Sequence, residues 1–143
     1  MESNITKTEQ LNQISIRNLR DNGGTLGFSY EEMLGILHKH NISSITKTLS
    51  LDDTPIGYIL YYFKNENTIH ISHICLDIQY QGKQLGDVLL NAIRENYHNY
   101  NITADVYYDN HKSYNFFLRN GFDMEEEPAK HRWNCILYGE EVR

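Results

Sequence analysis

The sequence is short of sulfur, of long apolar runs and of surplus positive charge, and each shortage excludes something. There are two cysteines, Cys75 and Cys135, in 143 residues. That is too few for a disulfide scaffold and fits free, buried thiols in a reducing compartment. No apolar run approaches the ~20 residues of a membrane span, so no membrane partner is expected. Met1-Glu2-Ser3-Asn4 shows no basic head leading into an apolar segment. No secretion signal is therefore expected, and a cytoplasmic location is. The three Asn-x-Ser/Thr acceptor patterns, at Asn4, Asn41 and Asn101, then carry no meaning. The formal net charge is −6. This excludes a nucleic-acid binder that works by its overall charge, and it permits a cationic partner such as an amine.

What is there is the composition of one globular domain over residues 1–143, with 40% hydrophobic and 22% charged residues. The chain is organised around residues 69–96. Ile69, Ile71, Ile74 and Leu76 form an apolar strand with few charges. A loop follows, Gln81-Gly82-Lys83-Gln84-Leu85-Gly86. Then Leu85, Val88, Leu89, Ala92, Ile93 and Tyr97 recur at spacings of three and four, the stripe of a helix. The first N–H groups of a helix lack internal partners, and its dipole is positive there. A phosphate held by main chain is the first expectation. A plain turn competes with it, because two glycines in a loop are common.

Upstream, Thr6-Lys7-Thr8-Glu9 reads as a capping box opening a helix over residues 8–21, with Asn22-Gly23-Gly24 as its stop. The rival is a first strand at Ile14-Ser15-Ile16-Arg17. Residues 2–6 are short and extended at most. Ser29-Tyr30-Glu31-Glu32 is a second capping box, for a helix to about His40. Alternation at Ile45, Leu49 and Leu51 predicts a half-buried strand. A turn at Asp52-Asp53-Thr54-Pro55 leads to a strand at 56–63, and a polar turn at 64–67 leads to the strand at 69–77. These three form an antiparallel meander. The strand at 102–108 follows a helix crossover, so it runs parallel to the one at 69–77. Residues 110–120 form a helix that Gly121 ends. Residues 122–125 and 132–138 close the chain as a hairpin around an exposed, charged loop at 125–130.

Two motifs at this separation give the chain a family likeness. One is the loop Gln81 to Gly86. The other is Asn110, Ser113, the pair Phe116-Phe117, and Gly121-Phe122. With the element order, they make the chain resemble the GNAT family of acyl-CoA-dependent N-acetyltransferases over nearly its whole length. The resemblance implies a single-domain mixed α/β fold. Its central sheet would be mostly antiparallel, with the strands at 69–77 and 102–108 parallel and splayed, and helices on both faces. It implies acetyl-CoA as cosubstrate and no metal. The N–H groups of Gln81, Gly82, Lys83, Gln84, Leu85 and Gly86 would hold the pyrophosphate. The pantetheine arm would lie along Ile74, Cys75 and Leu76, and Asn110 and Phe117 would complete the cofactor site. A backbone N–H near Cys75 or Leu76 would face the thioester oxygen. The acceptor would be a small-molecule amine or a protein N-terminus, and a homodimer through the terminal strands is allowed.

The chain departs from the family pattern twice. The inner glycine of the loop is Gln84, which costs something if the site needs positive φ. The tyrosine that many members use to protonate the leaving thiolate is Phe117. Tyr114 and Tyr108 are the nearest substitutes, and a coenzyme A thiol, with a pKa of about 8.5 like free Cys, can also leave unassisted. Asp105 matches a carboxylate that some members place five residues before the motif Asn, and it is a candidate base. Thr103 and Tyr107 share its strand face. His73 is the other candidate base. His70, three residues away, is expected on the opposite sheet face, so the two histidines do not form a metal pair. Cys75 reads as a packed hydrophobe. The departures at Gln84 and Phe117 keep open a non-catalytic acyl-CoA-binding module. A nucleotide-binding fold of another kind is disfavoured, because no Lys-Ser/Thr follows the loop glycine.

Overall fold

The computed structural model describes residues 6–21 and 27–140. The extended reading of residues 2–6, Thr6 apart, and the Asn22-Gly23-Gly24 stop lie outside the described residues. Helix α1 (Lys7–Asp21) starts where the capping pattern puts it, with the Glu9 N–H donating to Thr6 Oγ1 at 3.1 Å. The strand reading of Ile14 to Arg17 is thereby replaced by helix: Leu11 and Ile14 share its buried face, 2% and 1% exposed. Helix α2 (Tyr30–Lys39) carries the full reciprocal capping box of Ser29 and Glu32. Strands β1 (Ile45–Leu51), β2 (Thr54–Asn65) and β3 (Thr68–Leu76) form the antiparallel meander. Asp52 and Asp53 both take positive φ, +49° and +64°, so the turn needs only these two residues and the strand resumes at Thr54.

A short 3₁₀ turn (Ile78–Tyr80) leads to α3 (Leu85–Asn96), then β4 (Asn101–Tyr107) and α4 (His111–Arg119). Strands β5 (Asp123–Glu127) and β6 (Arg132–Leu137) close the fold. Strand β5 reaches two residues further than the sequence suggests. Glu126 and Glu127 pair with Trp133 and Arg132 instead of lying in a loop. Charged side chains are well tolerated there because β5 is an edge strand. No helix of the described residues is long and apolar enough to cross a membrane.

The six strands form one sheet in the order β1-β2-β3-β4-β6-β5, antiparallel except for the β3–β4 pair. Alternation along β2 sends Tyr58 and Leu60 to one face, where Leu11 and Ile14 of α1 and Tyr30 and Leu37 of α2 cover them. Ile59 and Tyr61 go to the other, against Leu89, Leu90 and Ile93 of α3 and Phe117 of α4. Helices thus cover both faces, as the family likeness implies. The α1/α2 side stays open over β4 and β6: Asp105 is exposed, and Tyr107 is 43% exposed.

Candidate active site

Strands β3 and β4 pair only from Thr68–Asn101 to Ile71–Ala104. Beyond that point β4 keeps its partner β6 as far as Tyr107, and β3 keeps β2 as far as Leu76. A slot opens between them. Its origin is a β-bulge: Leu60 faces His73 and Tyr61 faces Ile71, so Ser72 has no partner on β2. A bulge bends its strand and increases the local twist. Main-chain alternation then decides what lines the slot. The Asp77 N–H donates to Ile56 O at 2.8 Å. Counting back through the register, Cys75 turns its N–H and C=O to Tyr58 of β2, while Ile74 and Leu76 turn theirs away from β2 into the slot. The Leu76 carbonyl is already used, accepting from Asn18 Nδ2 at 2.8 Å and Gln81 Nε2 at 3.1 Å. The Cys75 thiol is pushed up to about 12, first by burial and then by Asp77, which keeps it neutral and poorly nucleophilic.

The loop at the slot's mouth is a nest of donors. Gly82 (φ +80°) and Gln84 (φ +60°) are both left-handed. The N–H groups of residues 82–86 have no hydrogen-bond partner among the described residues. Five adjacent free donors at the N-terminus of a 12-residue helix form an anion cradle. The Gln84 position does require positive φ, where glycine is the relaxed choice. Gly86 has a different reason: a Cβ there would stand 2.9 Å from Phe116 Cε1, so α3 and α4 could not approach as they do. Two cations reach the mouth, Lys83 over the Tyr80 ring and Lys112 with Nζ 3.4 Å from Gln81 Oε1. Gln81 itself points inward, donating to Asn18 Oδ1 and Leu76 O. Beside it Arg17 grips the buried Asp77, with Nη2–Oδ2 at 2.6 Å and Nε–Oδ1 at 3.3 Å. Helix α1 is thus fastened to the loop.

On the β4 flank, Asn110 caps α4 by accepting from the Ser113 N–H at 3.2 Å, and its Nδ2 has no partner among the described residues. Phe117 is a core residue, 3% exposed, packed edge-on to Phe116 and Phe122. Tyr114 rests on Trp133 with ring centroids 5.1 Å apart. Tyr108 packs edge-on to the same indole with ring centroids 5.5 Å apart, and its hydroxyl is buried without a partner among the described residues.

The candidate bases are placed differently from one another. His73 hydrogen-bonds Tyr58 through Nδ1 at 2.5 Å, and burial pushes its imidazole down to about 4. That makes it a weak base. Asp105 lies on the open face with Thr103 and Tyr107, as alternation predicts. Its Oδ2 is 3.5 Å from both His70 Nε2 and Arg132 Nη1, and its Oδ1 has no partner among the described residues. Arg132 in turn donates from Nε to Glu127 Oε1 at 3.1 Å. His70 does not point opposite to His73. Their partners on β2 are Tyr62 and Leu60, which share a face, because the extra residue Ser72 restores the parity that a three-residue spacing breaks. Among the described residues, no three His, Cys, Asp or Glu side chains gather as a metal site would need.

A family model described as the acetyltransferase (GNAT) family matches residues 9–122. The chain belongs to the GNAT acetyltransferase family. The fold agrees with solved structures. An N-acetyltransferase (PaiA) from Thermoplasma acidophilum, in complex with coenzyme A, is 17% identical with a TM-score of 0.71, covering 92% of each chain. An acetyltransferase from Streptococcus agalactiae is 15% identical with a TM-score of 0.72, covering 96% of this chain and 94% of that one. One from Thermus thermophilus is 18% identical with a TM-score of 0.70, covering 93% and 92%. No curated protein matches by sequence.

Within this GNAT frame, three features were beyond sequence reasoning. The paired His70 and Asp105 needed the bulge to be known. The Arg132 contact joins residues 27 positions apart in sequence by way of the β4–β6 register. The withdrawal of Cys75's main chain from the slot needed the phase of the β2–β3 hydrogen bonds. Only an unmatched polar residue in an apolar strand, Ser72, hinted at a bulge.

Proposed function

We propose that this chain is an N-acetyltransferase that moves the acetyl group of acetyl-CoA to a primary amine in a ternary complex. The observation that carries the reading is the slot with its cradle. Slot-facing N–H groups of Ile74 and Leu76 lead to five donors at residues 82–86 that have no partner among the described residues. A linear ligand with an amide-rich arm and an anionic end matches that order of donors. The pantetheine arm pairs with Ile74 and Leu76, the pyrophosphate sits on Gly82, Lys83, Gln84, Leu85 and Gly86, and Asn110 Nδ2 donates from the far lip. The Ile74 N–H, nearer the vertex than that of Leu76, stabilises the charge that develops on the thioester oxygen. The amine approaches from the open face, where the Asp105 carboxylate holds it. As the C–N bond forms, the C–S bond breaks. The thiolate takes a proton from Tyr114 or Tyr108, or leaves unassisted. The acceptor class is a small-molecule amine or a protein N-terminus, and the setting is the cytoplasm.

The test is thiol release from acetyl-CoA with a panel of primary amines, monitored by a thiol-reactive dye. Amine-dependent release, with the acetylated amine found by mass spectrometry, supports the reading. Binding of acetyl-CoA without release by any amine supports the second reading, a non-catalytic acyl-CoA-binding module. Phe117, buried where a proton donor would be useful, is the observation that favours that alternative.

A further inference from the structure

We infer that His70 is the group that takes the proton from the acceptor ammonium, with Asp105 as the partner that stabilises the resulting imidazolium. The inference rests on the N-acetyltransferase reading and assigns a role in it that neither motif assigns. Three observations converge. The His70–Thr103 pair is the last but one before β3 and β4 separate, so His70 stands at the vertex of the slot. Its side chain lies on the open face and is 15% exposed, beside the 33% exposed carboxylate of Asp105. Its two nitrogens are held unequally. Nδ1 is 2.7 Å from Thr103 Oγ1, a full hydrogen bond, whereas Nε2 is 3.5 Å from Asp105 Oδ2, too far for one. The arrangement suits a neutral imidazole with its proton on Nδ1, donated to Thr103, and a bare Nε2 facing the carboxylate.

An ammonium seated between Nε2 and Asp105 satisfies both. It gives one proton to Nε2, and the free amine then attacks the thioester carbon. The second N–H proton is lost to water as the amide forms, the sulfur leaves as proposed above, and the imidazolium, now ion-paired with Asp105, returns its proton to water. The other groups facing His70 are Tyr62, with ring centroids 5.4 Å apart, the Lys64 cation from β2 and the Arg132 cation from β6. Burial lowers the imidazole's pKa. Asp105 opposes that, Lys64 and Arg132 add to it, and the net direction is down. His70 is therefore neutral at neutral pH, and the carboxylate of Asp105 beside Nε2 is what favours its protonated form during the transfer. His73 is tied through Nδ1 to Tyr58, and burial pushes its imidazole down to about 4, so it is the poorer acceptor.

The experiment has two arms. Long-range ¹⁵N NMR of the wild-type protein at pH 7.5 reads the tautomer. A proton on Nδ1 of His70 is expected, and a proton on Nε2 overturns the assignment. The second arm follows acetyl-CoA thiol release with glycinamide, ethylenediamine, tyramine and an alanyl dipeptide between pH 6 and 10. His70→Gln should lose at least about 100-fold in kcat and the acid limb of the pH profile, with the KM for acetyl-CoA within twofold. Asp105→Asn, which leaves His70 in place, should move that limb to lower pH. Activity of His70→Gln within threefold of wild type, or loss of the acid limb in His73→Gln instead, overturns the role. A wild type that releases no thiol with any of these amines refutes the transferase reading and this role with it. An active wild type with an unaffected His70→Gln refutes this role alone.

Discussion

Replacing Arg17 by Met tests whether the donor loop at residues 81–86 depends on helix α1. Asp77 is 5% exposed and follows directly on β3. Its carboxylate is held at both oxygens by Arg17, whose side chain is 36% exposed. Removing one partner of a buried ion pair costs roughly 3–5 kcal/mol, because the other charge is left uncompensated. Arg17's exposure lets water reach the vacated side, so the low end, about 3 kcal/mol, is expected for Arg17→Met. Asp77→Asn leaves Arg17 free to rehydrate and should cost about 1–2 kcal/mol. The double variant has no orphaned charge. It should cost less than the sum of the two, by about 1–2 kcal/mol. Urea unfolding of the four proteins measures the cycle. For a chain of this size, Arg17→Met should lower Tm by roughly 10 °C. Coenzyme A affinity should fall with it, because Asn18 and Gln81 of the same junction share the Leu76 carbonyl. Additivity within about 0.5 kcal/mol, or a cost for Arg17→Met below about 1 kcal/mol, would refute the reasoning.

Three further outcomes are expected. Gly86→Ala puts a methyl 2.9 Å from Phe116 Cε1 and should destabilise by about 1–3 kcal/mol in a thermal melt, with weaker coenzyme A binding. Phe117→Tyr, which introduces the tyrosine that the resemblance implies many members carry, should lower Tm by several degrees and leave kcat unimproved, because the hydroxyl enters a core position 3% exposed. Stability should fall as pH drops from about 6.5 toward 4, since burial holds His73 at about 4 in the folded state while the unfolded chain takes up the proton near 6.5. The stabilisation is complete above pH 6.5, and its loss reaches about 3 kcal/mol at pH 4. His73→Gln should flatten that part of a urea-denaturation series against pH.

Much of the fold was legible because local chemistry and burial agree. Thr6 and Ser29 cap the helices their patterns announce, and the stripe Leu89, Ile93 on α3 meets the alternation of Ile59 and Tyr61 on β2. The parallel pairing of β3 and β4 follows from a helix-length crossover. The cradle was legible too, with Gln84 marking the strained position. What sequence could not give was phase. One extra residue at Ser72 reverses the facing of everything upstream of it in β3, which moves His70 from the far side of the sheet to the side of Asp105. Partners distant in sequence, such as Arg17 with Asp77 and Arg132 with Asp105, arise only once the sheet order is set. Phe117 was legible as a missing hydroxyl, but its burial between Phe116 and Phe122 was not.

The most direct test of the central claim is a titration of the ¹⁵N-labelled protein with acetyl-CoA, followed by amide chemical shifts. Saturable one-to-one binding is predicted, with the largest changes at the N–H groups of Ile74, Leu76 and Gly82 through Gly86. ATP, which lacks the pantetheine arm, should leave Ile74 and Leu76 unmoved. Shifts confined to other surfaces, or none at millimolar acetyl-CoA, would contradict the account.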